Sequence, residues 1–169
     1  ASVDALTFYE DADSDGFGDP ASPVLSCSAP VGTVSNDDDC DDALEGVHPD
    51  AAETCNSIDD DCDGDIDEDD AVDADTWFAD ADDDTFGDAG VVTSSCSMPD
   101  GYVADDTDCD DTEESTYPGA PEYCDGVDNN CDGAVDEDAS VDAQTFFQDA
   151  DGDGFGNSDV TAVACSVPP

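Results

Sequence analysis

The chain has 169 residues, of which 42 are Asp, 8 are Glu and none is Lys or Arg, so its formal charge is -50. With no cationic side chain to displace counterions from a phosphate backbone or to meet an anionic lipid surface, nucleic-acid and membrane-surface partners are excluded. No apolar run approaches the roughly 18 residues of a membrane-spanning helix, and so much charge with so few large apolar side chains would by default signal disorder.

Nine cysteines and a repeat argue against that default. Thr7-Phe8-Tyr9, Thr76-Trp77-Phe78 and Thr145-Phe146-Phe147 recur every 69 residues without insertion or deletion. Phe17, Phe86 and Phe155 keep the same register, as do Cys27, Cys96 and Cys165. Fixed aromatics and cysteines on a fixed period mark a structural unit repeated in tandem. The expected organisation is an end of a preceding repeat (1–6), repeat one (7–75), repeat two (76–144) and the start of a third (145–169), as in a window of a longer array.

In chain order, the segment Leu6 to Tyr9 reads as a short strand, followed by the acidic stretch Asp11-Ala12-Asp13-Ser14-Asp15-Gly16-Phe17-Gly18. Oxygen ligands at positions 1, 3 and 5 (Asp11, Asp13, Asp15), a glycine at 6 and the Phe17 carbonyl at 7 are the first half of an EF-hand loop. Position 12 is Ser22, so the closing bidentate Glu is missing and distant acids must complete the sphere. Val31 to Val34 reads as a second short strand. The next loop, Asp37-Asp38-Asp39-Cys40-Asp41-Asp42, has as its candidate ligands Asp37, Asp39, Asp41 and Asp42, the positions acidic in both copies. The third loop runs from Asp59 to Glu68. It offers Asp59, Asp61 and Asp63 at positions 1, 3 and 5, Gly64 at 6, the Asp65 carbonyl at 7, and Asp67 and Glu68 to close.

Repeat two follows the same course. After the strand Thr76 to Phe78, loop 1 supplies Asp80, Asp82, Asp84 and the Phe86 carbonyl, with Thr85 where the turn wants glycine, which predicts strain. Past the strand Gly101 to Ala104, loop 2 supplies Asp106, Asp108, Asp110 and Asp111. Loop 3 supplies Asp128, Asn130, Asp132, the Ala134 carbonyl, Asp136 and Glu137. Asn130 stands where repeat one has Asp61: an amide oxygen can replace a carboxylate as a hard ligand, but not as mere charge. The third copy adds the strand Thr145 to Phe147, a loop 1 with Asp149, Asp151, Asp153 and the Phe155 carbonyl, and a strand Val160 to Ala164. That makes seven candidate loops, while Asp69, Asp70, Glu113 and Glu114 read as solvated surface charge.

All-oxygen, carboxylate-rich loops suit hard cations, and flexible spheres of six to eight ligands suit calcium better than magnesium. Repeat one holds 24 acids against 12 large apolar residues, so self-repulsion opposes compaction unless ions neutralise it. Ion-bound carboxylates are expected to titrate below their unfolded values, so that acid mimics chelation. Four cysteines per repeat fit an oxidising, extracellular setting. Their spacings (x₁₂, x₁₄ and x₆) do not match the close pairs of zinc sites. Spacing leaves connectivity open; nearest neighbours are the expectation, Cys27 with Cys40, Cys55 with Cys62, Cys96 with Cys109 and Cys124 with Cys131. Cys165 would then find its companion outside the chain. His48 and its counterpart Tyr117, each followed by proline, read as partly buried rings. No recurring nucleophile and base support an enzyme.

The string Pro118-Gly119-Ala120-Pro121-Glu122-Tyr123-Cys124-Asp125-Gly126-Val127-Asp128-Asn129-Asn130-Cys131-Asp132-Gly133, with Asp108-Cys109-Asp110-Asp111 upstream, resembles the MopE-type metal-binding repeat of bacterial surface and secreted proteins. More loosely, the acidic loops resemble the calcium-filled type 3 repeats of thrombospondins. The first resemblance implies copper as a rival ion, although copper favours His, Met or Cys, of which this chain offers one His, one Met and cysteines expected in disulfides. The expected fold is a small β/irregular tandem repeat stabilised by metal and disulfides, with short strands, calcium loops and little helix. The expected function is an extracellular calcium-binding fibre, stalk or spacer, partnered by neighbouring repeats or copies of itself; metal buffering or copper sequestration is the alternative.

Overall fold

The computed structural model describes residues 4–168, and among them there is no helix. Three small antiparallel sheets carry the repeat. Strand β1 (Leu6–Glu10) lies between β2 (Pro23–Ser26) and β3 (Thr33–Val34), with Phe8 opposite Val24 and Tyr9 opposite Val34. Strand β4 (Asp75–Ala79) lies likewise between β5 (Asp88–Ser95) and β6 (Tyr102–Val103). The third copy is the two-stranded pair β7 (Gln144–Gln148) and β8 (Asn157–Ala164), with an irregularity between Phe147 and Gln148.

Strands β2 and β5 were not expected from the sequence, although β5 holds the β-branched run Val91-Val92-Thr93 of the kind strands favour. Gly18 shows how tightly the first sheet closes on the following loop: a Cβ there would lie 2.8 Å from Val34 Cγ2 and from the Asn36 carbonyl oxygen.

The chain falls into two compact units, residues 1–75 with Ser94–Ser97, and Thr76–Thr93 with Met98–Pro169. Neither is built on an apolar core. The buried apolar side chains described are Phe8, Val47, Ala71 and Ala120, whereas Asp39, Glu53, Asp60, Asp80, Glu122 and Asn129 are buried polar groups. Buried carboxylates outnumbering buried large apolar side chains means that polar interactions have to hold the interior.

The disulfides correct the nearest-neighbour expectation. Cys40 bonds Cys62 and Cys109 bonds Cys131, 22 residues apart in each case. Cys55 bonds Cys96 and Cys124 bonds Cys165, 41 residues apart, so Cys165 has its partner within the chain and Cys27 is free and exposed. The first kind of bond ties loop 2 to loop 3; the second ties the segment before loop 3 to the end of the following hairpin. Nearest-neighbour pairing fails because loops 2 and 3, rather than cysteines adjacent in sequence, pack together. Closing loops of these lengths contributes roughly 3 to 4 kcal/mol each in the chain-entropy account.

Candidate metal centres

Loops 1 and 3 share one backbone form. Positions 4 and 6 lie in the left-handed region in every copy of loop 1: Ser14 and Gly16 (φ 73° and 98°), Asp83 and Thr85 (67° and 82°), Gly152 and Gly154 (77° and 88°). Loop 3 does the same at Cys62 and Gly64 (60° and 103°) and at Cys131 and Gly133 (57° and 94°). Glycine takes such angles without strain; Thr85, with a branched Cβ, does not.

This curl turns the carboxylates inward. In repeat one, Asp13 Oδ1 accepts the Asp15 N–H (3.2 Å), Asp15 Oδ1 accepts the Phe17 N–H (2.7 Å) and Asp39 Oδ1 accepts the Asp41 N–H (2.8 Å). One oxygen of each is thus used to shape its loop. The other, Oδ2 of Asp13, Asp15 and Asp39, is buried without a hydrogen-bond partner, as is Asp11 Oδ1. Carboxylate oxygens of Asp13, Asp39 and Asp42 lie within 4.8 Å of one another, as do those of Asp11, Asp13 and Asp15. Asp39 is only 3 % exposed.

Loops 1 and 2 therefore build one centre rather than two. Asp42 Oδ1 accepts the Ala12 N–H (2.7 Å) and the Asp39 N–H reaches the Gly18 carbonyl (3.3 Å), while Phe17 stacks on His48 with ring centroids 5.0 Å apart. Repeat two reproduces the arrangement. Oδ2 of Asp82, Asp84 and Asp108 is buried without a partner, Asp111 accepts the Ala81 N–H (2.7 Å), and Phe86 stacks on Tyr117 at 5.5 Å. Burial, then the neighbouring charges, raises the Asp13, Asp39, Asp82 and Asp84 carboxyls above the usual carboxylate range, with backbone hydrogen bonds opposing. Such a set of oxygens is unstable as bare anions and suited to a hard cation.

Loop 3 forms the second centre. Oxygens of Asp59, Asp61 and Asp63 lie within 4.8 Å of one another, as do those of Glu53, Asp61 and Glu68. Both Glu68 oxygens are buried without a hydrogen-bond partner, as is Glu137 Oε2 in the second copy. The pull of its own backbone N–H lowers the Glu68 carboxyl, but burial and the charges of Glu53 and Asp63 outweigh it and push it up to about 6.

Glu53, which the spacing argument passed over, positions this centre. It is 6 % exposed; its Oε2 accepts the Asp60 N–H (2.9 Å) and its Oε1 the Asp67 N–H (3.1 Å), so it pins both halves of the loop. Glu122 does the same for the Asn130 and Asp136 N–H groups. Glu53 and Glu122 share the 69-residue register. The test applied to loop 2, acidic in both copies, would have found them.

Other expected ligands also make hydrogen bonds of their own or lie exposed, which does not by itself remove them from a centre. Asp37 accepts a hydrogen bond from the Tyr9 hydroxyl, which raises that phenol, and Asp106 is exposed. Asp41 and Asp110 accept hydrogen bonds from Ala43 and Thr112 in the turns that follow. Asp67 and Asp136 accept the Ser57 and Gly126 N–H groups (both 2.8 Å). Asp59, Asp80, Asp128 and Asp149 each use both oxygens on backbone N–H groups of their own loop. Asp65 and Ala134 are exposed at position 7, where the carbonyl is the expected donor. Asp132 takes the Ala134 N–H, as Asp63 takes that of Asp65. Asp149, Asp151, Asp153 and Phe155 in the third copy are all exposed.

Compared with known proteins, the chain matches the Cu-binding MopE family, described as a putative metal-binding motif, over residues 39–68 and 108–137. Each match runs from the buried carboxylate of loop 2 to the closing glutamate of loop 3. The motif thus matches twice, once in each repeat, and loop 1 lies outside both matches. No curated protein and no solved structure matches it.

Proposed function

We propose that this chain is part of an extracellular, calcium-loaded, disulfide-stapled tandem array that serves as a structural spacer, stalk or fibre and has no catalytic role. The observation that carries the reading is the set of buried carboxylate oxygens without hydrogen-bond partners, repeated in both copies and converging on the same points. Four disulfides support an oxidising location. Oxygen-only donors in flexible loops favour calcium over magnesium, and extracellular modules of this kind bind at about 10⁻⁴ to 10⁻³ M. Tandem copies of one structural unit suit a quasi-one-dimensional array.

The matched family's name favours copper as the second reading. Against it, the softer donors are dispersed: Cys109 and Cys131, beside Asp108, are bonded to each other, Met98 is exposed, and His48 is stacked on Phe17 with its Nδ1 accepting the Asp50 N–H (3.2 Å). Elemental analysis of the native protein, with calorimetric titration of the stripped chain by calcium and by copper, separates the two. Calcium bound in structural amounts with a folding response supports the array. Tight copper binding with no structural response to calcium supports sequestration.

A further inference from the structure

The two centres differ in where their ligands come from. Asp61, Asp63 and Glu68 belong to one continuous stretch inside the matched motif. The other centre draws Asp11, Asp13 and Asp15 from the turn after β1, and Asp39 and Asp42 from the motif. We propose that this composite centre is an ion-operated clasp that holds each repeat's sheet against its own motif, whereas the loop-3 centre folds the motif internally. The proposal rests on reading both clusters as cation sites and assigns them different work.

The clasp is argued from what lies at the contact. Asp39 is buried against the sheet-side carboxylates with Oδ2 lacking any hydrogen-bond partner, so without a cation this contact is repulsive. The attractive contacts there are few and local: Ala12 N–H to Asp42, Asp39 N–H to Gly18 and the Phe17–His48 stack. All of them adjoin the cluster, so one ion would stabilise them together. Repeat two has the same set, Ala81 to Asp111, Asp108 N–H to the Gly87 carbonyl and Phe86 on Tyr117.

The test uses the whole chain and two readouts. His48 is the only histidine, so its imidazole proton signals report the Phe17 stack without ambiguity. Asp13→Ala should lose one calcium ion per chain and shift the His48 signals to their unstacked positions, while the Val72 N–H, bonded to the Glu53 carbonyl, stays protected from exchange. Asp82→Ala should also lose one ion, but leave His48 unmoved and shift the Tyr117 ring signals instead; if Asp13→Ala fails to fold, this variant carries the test. Loss of an ion with the stack unchanged in both variants would overturn the clasp alone. Retention of every ion would show that the cluster is not the site. Absence of calcium binding by the unaltered chain would overturn the functional reading beneath it.

Discussion

The first and third copies of loop 1 are nearly the same sequence, Asp-Ala-Asp-Ser-Asp-Gly-Phe-Gly against Asp-Ala-Asp-Gly-Asp-Gly-Phe-Gly, and share their left-handed positions. Their surroundings differ. In the first copy, Asp13 and Asp15 turn buried, partner-less oxygens toward Asp39, and burial raises Asp13. In the third, where residues 145–168 include no counterpart of loop 2, the acids are exposed and Phe155 is 81 % exposed. There Asp149, at the first position of the loop, is lowered by the Gly154 and Gly152 N–H groups. A loop of this kind curls by itself, through its own Asp-to-backbone hydrogen bonds, but becomes a centre only when loop 2 closes over it.

Chelation at neutral pH should break the comparison most severely. An ion that binds only the folded state contributes about 2.7 kcal/mol per site at 100 times its dissociation constant, and repeats one and two each hold two candidate centres. Hydrogen exchange should then show the Phe17 and Phe86 N–H groups losing protection on chelation, with Phe155 little changed. Equal responses at all three would place the ion on loop 1 alone. The next largest effect is expected from Cys55→Ser with Cys96→Ser, at roughly 3 to 4 kcal/mol of unfolding free energy in denaturant titration. The Cys27→Ser change should have almost no effect on the same measurement, since Cys27 is free.

Smaller changes sharpen the contrast between copies. Thr85 occupies a left-handed position at φ 82° where the other two copies have glycine, so Thr85→Gly should stabilise the second unit by about 1 kcal/mol. A lower melting temperature would contradict that account.

The pH response should reverse on removal of the ions. Glu68 and the raised aspartates have folded values above their unfolded ones, so their contribution to the ion-free fold is fully present below the unfolded values. It is lost as pH rises, through about 6 for Glu68. Stripped protein should therefore gain stability as pH falls from 7 to 4, whereas calcium-loaded protein should lose it as protons displace the ions. The expectation that acid mimics chelation applies to the loaded form alone.

What could be read from the sequence follows from the range of each interaction. The curl of loops 1 and 3 is local, set by acids two residues apart and a glycine, and the spacing exposed it. Ser22 at position 12 also announced that loop 1 needed distant acids. Which acids they were could not be read, because Ala12 meets Asp42 across 30 residues and spacing says nothing of contacts at that range. The same limit misassigned the cysteines: Cys40 and Cys62 are joined because loops 2 and 3 pack, while their nearer neighbours in sequence point elsewhere. Glu53 was passed over because it lies outside the acidic runs, although its buried oxygens hold the Asp60 and Asp67 backbone in place.

The most direct measurement is a crystal structure of the calcium-loaded chain with anomalous data collected to locate the ions. Two peaks are predicted between loops 1 and 2, among Asp13, Asp15 and Asp39 and among Asp82, Asp84 and Asp108, and two more within loop 3 beside Glu68 and Glu137. Peaks confined to the exposed acids, or full occupancy at Asp149, Asp151 and Asp153 with none at Asp39, would contradict the account.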